Sequence, residues 1–428
     1  MTHRFGRRHL LTSAAGMAVA SLVGCDPRPP GSEGKHLVSL WFAYGGKNRE
    51  VLQSLVDKFN AGQPEVFVHA TFQGDYFEAL AKLRTAVAAS AGPTMSHVVG
   101  EVIPYLHEAR VLEPLNDYPG AGSLDLVDAL AQSGTYIGGR DKPLVGLPFN
   151  RSTPIMYVNG DLLRDARVPI PATWDELERA SVELTRREPG GRVSTYGFEC
   201  PISWWFWVAL VGQAGGTVMR PDGYPELGGE AGVQAIEHWQ RMVHKTHSMR
   251  PPPGRDYNAW EVTNQDFLAG RAAIIVTSTA FLRYLEANAN FPVVGAPLTA
   301  DKQKAVPTGG TFFVMLRSAP DDDKRAAWKF LTWMMQPAQT IAWATGTGYM
   351  PVANDAVAQL RQSGYYEKSP NDAVAMSQLA YAQPWPWAPN LFRVQRECVE
   401  PRLEEAVLGP RDARTVMQEA RAAALADR

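Results

Sequence analysis

Residues 36–72 read HLVSLWFAYGGKNREVLQSLVDKFNAGQPEVFVHATF, and this stretch decides the fold class. His36–Tyr44 is an almost continuous apolar run of strand length, closed by Gly45-Gly46. Val51, Leu55, Val56 and Phe59 then recur on one face at helical spacing. Pro64 ends the helical pattern and Val66–Phe72 restarts a strand. A strand, a helix and a second strand in this order form a β-α-β unit, whose strands lie parallel.

Outward from that unit the alternation continues. A helix is predicted over Phe77–Ala88, a strand over His97–Gly100 and a helix near Pro104–Ala109. Two adjacent strands with a polar break between them follow, Pro143–Asn150 and Thr153–Asn159. Thr173-Trp174-Asp175-Glu176 is a capping box, in which the Thr173 hydroxyl and the Glu176 carboxylate satisfy exposed amides. It opens a helix expected to reach Arg187. Further strands fall at Val193–Glu199, Ala272–Thr277, Pro292–Pro297 and Gly310–Leu316. The C-terminal part is mainly helical, interrupted by the loop Tyr381–Asn390. The expected fold is α/β, with two lobes, each a mostly parallel sheet flanked by helices. Extended crossings near Asn150 and around Pro297–Thr308 would join them.

A length of 428 residues suits two large domains or three ordinary ones. Net charge is −2, with no basic block, which argues against a nucleic-acid partner. Three cysteines cannot build a disulfide scaffold, and spacing leaves Cys200 and Cys398 either bridged or as two thiols. Twelve tryptophans exceed ordinary use and ask for a role in packing or recognition.

The first residues read as a targeting signal. Arg7-Arg8 precede Leu10-Leu11 and a small-residue apolar run to Val23. That run is shorter than the roughly 18 residues that span a bilayer. It ends in Leu22-Val23-Gly24-Cys25, a lipobox pattern that would lipidate Cys25, and the paired arginines fit twin-arginine or general export. Residues 1–25 are thus expected to be a signal peptide. Residues 26–35, with Pro27, Pro29, Pro30, Gly31 and Ser32, are expected to be a tether. Export makes ATP-dependent and nicotinamide chemistry unexpected, so no cofactor is expected.

Most enzyme patterns fail. No Gly-x-Ser-x-Gly elbow, Walker A loop or His-Glu-x-x-His motif occurs. His238, His244 and His247 share a helical stretch but lack matched spacing for a metal. Asp321-Asp322-Asp323 after Pro320 suits a helix start. A glycan hydrolase with two distant carboxylates is the surviving enzyme alternative.

Three features converge on ligand capture. Glycine and hydroxyl residues cluster at strand ends: Ser152-Thr153, Ser278-Thr279 and Thr308-Gly309-Gly310. Aromatic residues cluster at Trp204-Trp205-Phe206-Trp207 and at Trp385-Pro386-Trp387. Four consecutive bulky helix positions predict at least one ring projecting outward. Arg393 and Arg396 stand one helical turn apart, and arginine pairs bidentately with phosphate or carboxylate.

The exported leader, the α/β restart and Phe267-Leu268-Ala269-Gly270-Arg271-Ala272-Ala273-Ile274 resemble the family-one extracellular solute-binding proteins of ABC importers. Pro148-Phe149-Asn150-Arg151-Ser152-Thr153-Pro154, Gly346-Thr347-Gly348-Tyr349-Met350-Pro351 and Tyr365-Tyr366-Glu367-Lys368-Ser369-Pro370 are similar to its glycerol-3-phosphate-binding branch. The likeness runs over about residues 37–425. It implies a type II periplasmic-binding-protein fold. Residues 36–150 with 305–350 would form the N-terminal lobe, and 151–304 with 351–428 the C-terminal lobe. It also implies a monomer that delivers a small phosphorylated polyol to ABC permease subunits, without catalysis. By the same resemblance Tyr76 and Glu101 bond glycerol hydroxyls, and Ser152, Ser278, Gly309, Tyr349 and Arg396 surround the phosphate. The ligand-facing tryptophan has ambiguous register among Ile202, Trp204 and Trp205. Phe281 replaces a small or hydroxyl residue, and Arg151 adds a cation beside Ser152. Glycerol 3-phosphate, a glycerophosphodiester such as glycerophosphocholine, and an oligosaccharide are the candidate ligands.

Overall fold

The computed structural model describes residues 28–131, 144–220, 222–383 and 385–426. The expected signal peptide with Cys25, and the start of the expected strand at Pro143, lie outside the described residues. In chain order the strands are β1 (His36–Phe42), β2 (Val66–Phe72), β3 (Met95–Val99), β4 (Leu147–Ser152), β5 (Pro154–Asn159), β6 (Arg186–Arg187) and β7 (Val193–Glu199). They continue with β8 (Met249–Arg250), β9 (Ala272–Ser278), β10 (Val293–Ala296), β11 (Val306–Pro307), β12 (Gly309–Met315) and β13 (Ala382–Gln383).

The first β-α-β unit forms as its pattern dictates. β1 and β2 pair in parallel, from His36 against Val66 to Phe42 against Phe72. The helix Gly46–Gly62 between them buries Leu52, Leu55, Val56 and Phe59. One sheet has the order β2-β1-β3-β12-β4 and the second β10-β5-β9-β7-β6, with β8 beside β7. Each sheet has its own apolar core. Leu40, Phe59, Phe313 and Trp343 belong to the first, and Phe198, Trp207, Trp239 and Ile274 to the second.

The sheets are mixed, which corrects the expectation of mostly parallel ones. β12 runs antiparallel to both β3 and β4, and β5 runs antiparallel to both β9 and β10. The cause is the crossing of the chain between sheets. β4 and β5 are neighbours in sequence but lie in different sheets, so the chain passes over at Thr153. It returns at Thr308, between β11 and β12. The strand that follows each crossing, β5 or β12, runs against the parallel ones.

Several boundaries also shift. The capping box forms at Thr173 and Glu176, but its helix ends at Leu184. Arg186 and Arg187 instead pair with Thr195 and Val193. β3 starts at Met95, and Gly100 already opens the short turn Gly100–Val102 that carries Glu101. Cys200 is a buried free thiol, while the Cys398 sulfur accepts from Arg393. His238 stacks on Trp174, whereas His244 and His247 bond separate carbonyls, of Val407 and Val243. Asp321–Asp323 form the first turn of the helix Asp321–Met334.

Candidate functional site

The two crossings bring together residues that are far apart in sequence. Asn150, fully buried on β4, is the centre of a polar cluster. Its Nδ2 donates to Tyr76 Oη at 3.1 Å and to Tyr349 Oη at 3.3 Å. The two phenol oxygens are themselves 3.1 Å apart. The Asn150 Oδ1 accepts from the Thr311 amide at 2.6 Å and from its hydroxyl. Tyr76 is positioned as the first residue of the helix Tyr76–Ala88, behind the capping box of Asp75 and Glu78. Tyr349 follows the left-handed Gly348 that ends the helix Pro337–Thr347, and its ring stacks on Trp343 at 5.4 Å.

Charge in this cluster is buried. The Arg151 guanidinium donates to Gly310 O at 3.0 Å and to Thr308 Oγ1 at 2.8 Å, and lies 4.4 Å over the Phe312 ring. Burial pushes Arg151 down to about 10, and the Glu101 charge opposes that shift, so Arg151 stays cationic at neutral pH. Burial raises the Glu101 carboxyl above its ordinary range, while Arg151 pulls it back. Burial likewise raises Tyr76 and Tyr349, which keeps both phenols neutral and able to donate.

Ser152, Gly309 and Ser278 meet at the crossings. Ser152 pairs with Gly309 across β4 and β12, and Ser278 pairs with Pro154 across β9 and β5. The Ser278 hydroxyl already accepts from the Ala280 amide, which opens the turn Thr279–Phe281. Gly310 has φ +92°, and a Cβ there would lie 1.8 Å from the Asn150 carbonyl oxygen. Only glycine lets the two crossing strands approach this closely.

All four consecutive rings are buried, against expectation. Trp204 is 1 % exposed, Trp205 8 %, Phe206 2 % and Trp207 0 %. Their helix, Trp204–Gln213, is covered on one side by the helix Glu230–Gln240 and on another by β11. Trp260, on the helix Asp256–Leu268, covers Trp205 and Phe206. Trp204 stacks on Trp385 and leans on Trp207 in the second core. Trp205 lies at the crossing: its Nε1 donates to Thr308 O at 3.4 Å, beside the Trp385 Nε1 bond to the same oxygen at 2.7 Å.

Arg396 sits in the π-helical turn Val394–Val399, a geometry frequent at functional positions. Its Nη1 and Nη2 reach the two oxygens of Asp256 at 2.6 and 3.1 Å, and Nη1 also reaches Glu400 at 2.7 Å. The guanidinium lies 3.9 Å over the ring of Phe77, the residue next to Tyr76. Arg393 faces elsewhere, donating to Ala424 O at 3.0 Å.

The sequence reading passed over Tyr257 and Trp260. Trp260 stacks on Trp205 at 5.3 Å and meets Phe281 edge-on, while Tyr257 packs 6.0 Å from Phe281. Their spacing of three places both on one helix face, a signal present in the sequence. A wall of rings thus continues from the crossing towards Arg396 and its partner Asp256, on the same helix. The arrangement offers hydroxyls and one carboxylate for polar groups, fixed cations for an anion, and aromatic faces for apolar or cationic surfaces.

The profile of the family described as bacterial extracellular solute-binding protein matches residues 54–374. The sn-glycerol-3-phosphate-binding periplasmic protein UgpB of Yersinia pestis is 24 % identical over 378 residues, covering 83 % of this chain and 82 % of that protein. Among solved structures, UgpB from Mycobacterium tuberculosis in complex with glycerophosphocholine superposes with a TM-score of 0.80 at 22 % identity, over 92 % of this chain and 98 % of that one. The cyclic α-maltosyl-1,6-maltose binding protein from Arthrobacter globiformis gives 0.74 at 21 % identity, over 92 % and 99 %. The fold is therefore that of the periplasmic binding proteins.

Proposed function

The chain belongs to the bacterial extracellular solute-binding proteins, and from that premise we propose that it captures a small phosphorylated polyol for an ABC importer. The ligand is glycerol 3-phosphate or a glycerophosphodiester, held between two lobes and passed on without covalent change. The observation that carries this reading is the start of the helix Tyr76–Ala88. There Tyr76 shares its hydroxyl with Asn150 and Tyr349, while Phe77 lies under the Arg396 guanidinium. A hydroxyl-binding phenol and a ring that carries a forked cation therefore stand on consecutive residues of one helix start. Similarity to proteins named for sn-glycerol 3-phosphate supports the same ligand.

In this reading Glu101 and Tyr76 hold the hydroxyl end, and Ser152, Ser278, Gly309, Tyr349 and Arg396 surround the phosphate. The lobes are taken as residues 36–152 with 309–350, and 154–307 with the remainder. The expected bounds at 150 and 305 shift because β4 runs to Ser152 in the first sheet and Val306 packs in the second core. Closure follows from contacts that one ligand makes with both. Cys25 carries the lipid anchor, and the permease subunits are the protein partners. Among the described residues no helix is long and apolar enough to cross a membrane. The aromatic row Trp205, Trp260, Phe281 and Tyr257 favours one second reading, an oligosaccharide stacked on those rings.

A thermal-shift screen decides between them, because a ligand that binds only the native state raises apparent stability. Glycerol 3-phosphate or glycerophosphocholine should raise the midpoint while maltotriose does not. A shift with maltotriose alone would reverse the assignment.

A further inference from the structure

Asp256 takes both oxygens of its carboxylate to the fork of Arg396, at 2.6 and 3.1 Å. This is the bidentate geometry in which a guanidinium would receive a phosphate. Glu400 holds Nη1 as well, at 2.7 Å, so the one guanidinium already has two carboxyl partners. Both Nη atoms are thus engaged, and a phosphate ester can take the fork only where a carboxylate has left it. The two differ in how firmly they are placed. Glu400 is four residues from Arg396, on the adjoining helical turn, and Gln395 also donates to it. Asp256 comes from a distant part of the chain, held there at φ +50°, a left-handed conformation that among side-chain residues Asp and Asn adopt most readily. It directly follows Arg255, which is itself tied to Glu404.

We propose that Asp256 is a specificity-determining internal anion: it occupies the Arg396 fork, and an anionic ligand group must exchange with it to bind. The proposal rests on the reading of Arg396 as the anion-binding residue and goes beyond it, because it assigns Asp256 a role opposed to affinity. A neutral sugar gains nothing from the exchange and leaves the pair intact. Asp256 thus limits the site to ligands whose anionic group competes well with a carboxylate.

The test is titration calorimetry with sn-glycerol 3-phosphate on the full protein, wild type and Asp256→Asn, with Arg396→Ala as reference. Asparagine keeps the shape and tolerates the left-handed backbone. Asp256→Gly, which also suits φ +50°, serves as the second variant should Asp256→Asn fail to fold by its thermal transition. Asp256→Asn is expected to tighten binding about tenfold, as when a competing arrangement that holds most of the population is removed. Arg396→Ala is expected to weaken it. Weaker or unchanged binding by both Asp256 variants, with Arg396→Ala still damaging, overturns the inference and leaves the functional reading standing. Binding of the phosphate ester by neither wild type nor the Asp256 variants overturns the reading and the inference together. A structural role for Asp256 can only weaken binding, so tightening is a result that role does not produce.

Discussion

The indole of Trp205 fills the space directly over Gly309: a Cβ on that glycine would lie 2.5 Å from the indole Cζ2. The ring cannot step aside, because Trp260 stacks on its other face at 5.3 Å. Gly309→Ala should therefore cost about 1–3 kcal/mol of folding stability, the usual scale of overpacking a close-packed site. Urea denaturation with an unchanged midpoint would show that the crossing at Thr308 is looser than this contact implies.

The two arginines of the C-terminal segment should separate cleanly. Arg396→Ala removes the forked cation and should weaken binding of a phosphate ester by roughly 2–5 kcal/mol, since a desolvated anion loses its charged partner. Arg393→Ala should leave affinity nearly unchanged and lower stability instead, because Arg393 ties the Ala424 carbonyl to the segment before Arg396. Calorimetry giving the reverse order would assign the anion-holding role to the wrong helical face.

Stability should fall as pH rises above the histidine range. Burial pushes the Glu199 carboxyl, which is fully inaccessible to solvent, up to about 8, with Arg250 opposing at 3.6 Å. Burial also pushes Glu400 up to about 7. A carboxyl raised in the folded state binds more protons there than in the unfolded chain. Its contribution is present at low pH and is lost as pH rises through the folded value, at up to about 1.4 kcal/mol per unit. His97 and His238, both lowered to about 3 by burial, act in the other direction and only below about pH 6.5. Between pH 7 and 8 the slope should come mainly from Glu199, and Glu199→Gln should flatten it. A wild-type stability that is level over that interval would contradict the argument.

What could be read from the chain follows from how local each signal is. Apolar runs and the Thr173 capping box located elements because strand and helix periods are written in consecutive residues. β7 and the β1–β2 unit appear at the expected places for that reason. The antiparallel placement of β12 was not legible, since it depends on a chain crossing completed by residues distant in sequence. The burial of all four rings from Trp204 to Trp207 was missed because a single helix does not reveal how many neighbours will cover it. Trp205 meets Gly309 and Thr308 at the crossing, a contact between residues about a hundred apart that no local pattern reveals. The pairing of Arg396 with Asp256 joins positions 140 residues apart, and no spacing rule reaches across that distance.

Glu101 shares the polar cluster with Arg151 and Tyr76. As a carboxylate it accepts from two hydroxyls, and Tyr76 supplies a further polar contact from the same sheet's side. Glu101→Gln keeps the shape but turns half of that acceptor capacity into donors, so one ligand hydroxyl loses its partner. The loss should be about 1.5–3 kcal/mol for glycerol 3-phosphate and glycerophosphocholine, both of which carry free glycerol hydroxyls. Phosphocholine and inorganic phosphate lack those hydroxyls, so they should bind weakly and lose almost nothing more. Because burial raises the Glu101 carboxyl, wild-type affinity for the glycerol ligands should also decline as pH falls through that raised value, and Glu101→Gln should remove the decline. Equal losses for all four ligands, with the pH dependence retained, would mean that Glu101 serves folding or lobe closure and does not read the glycerol.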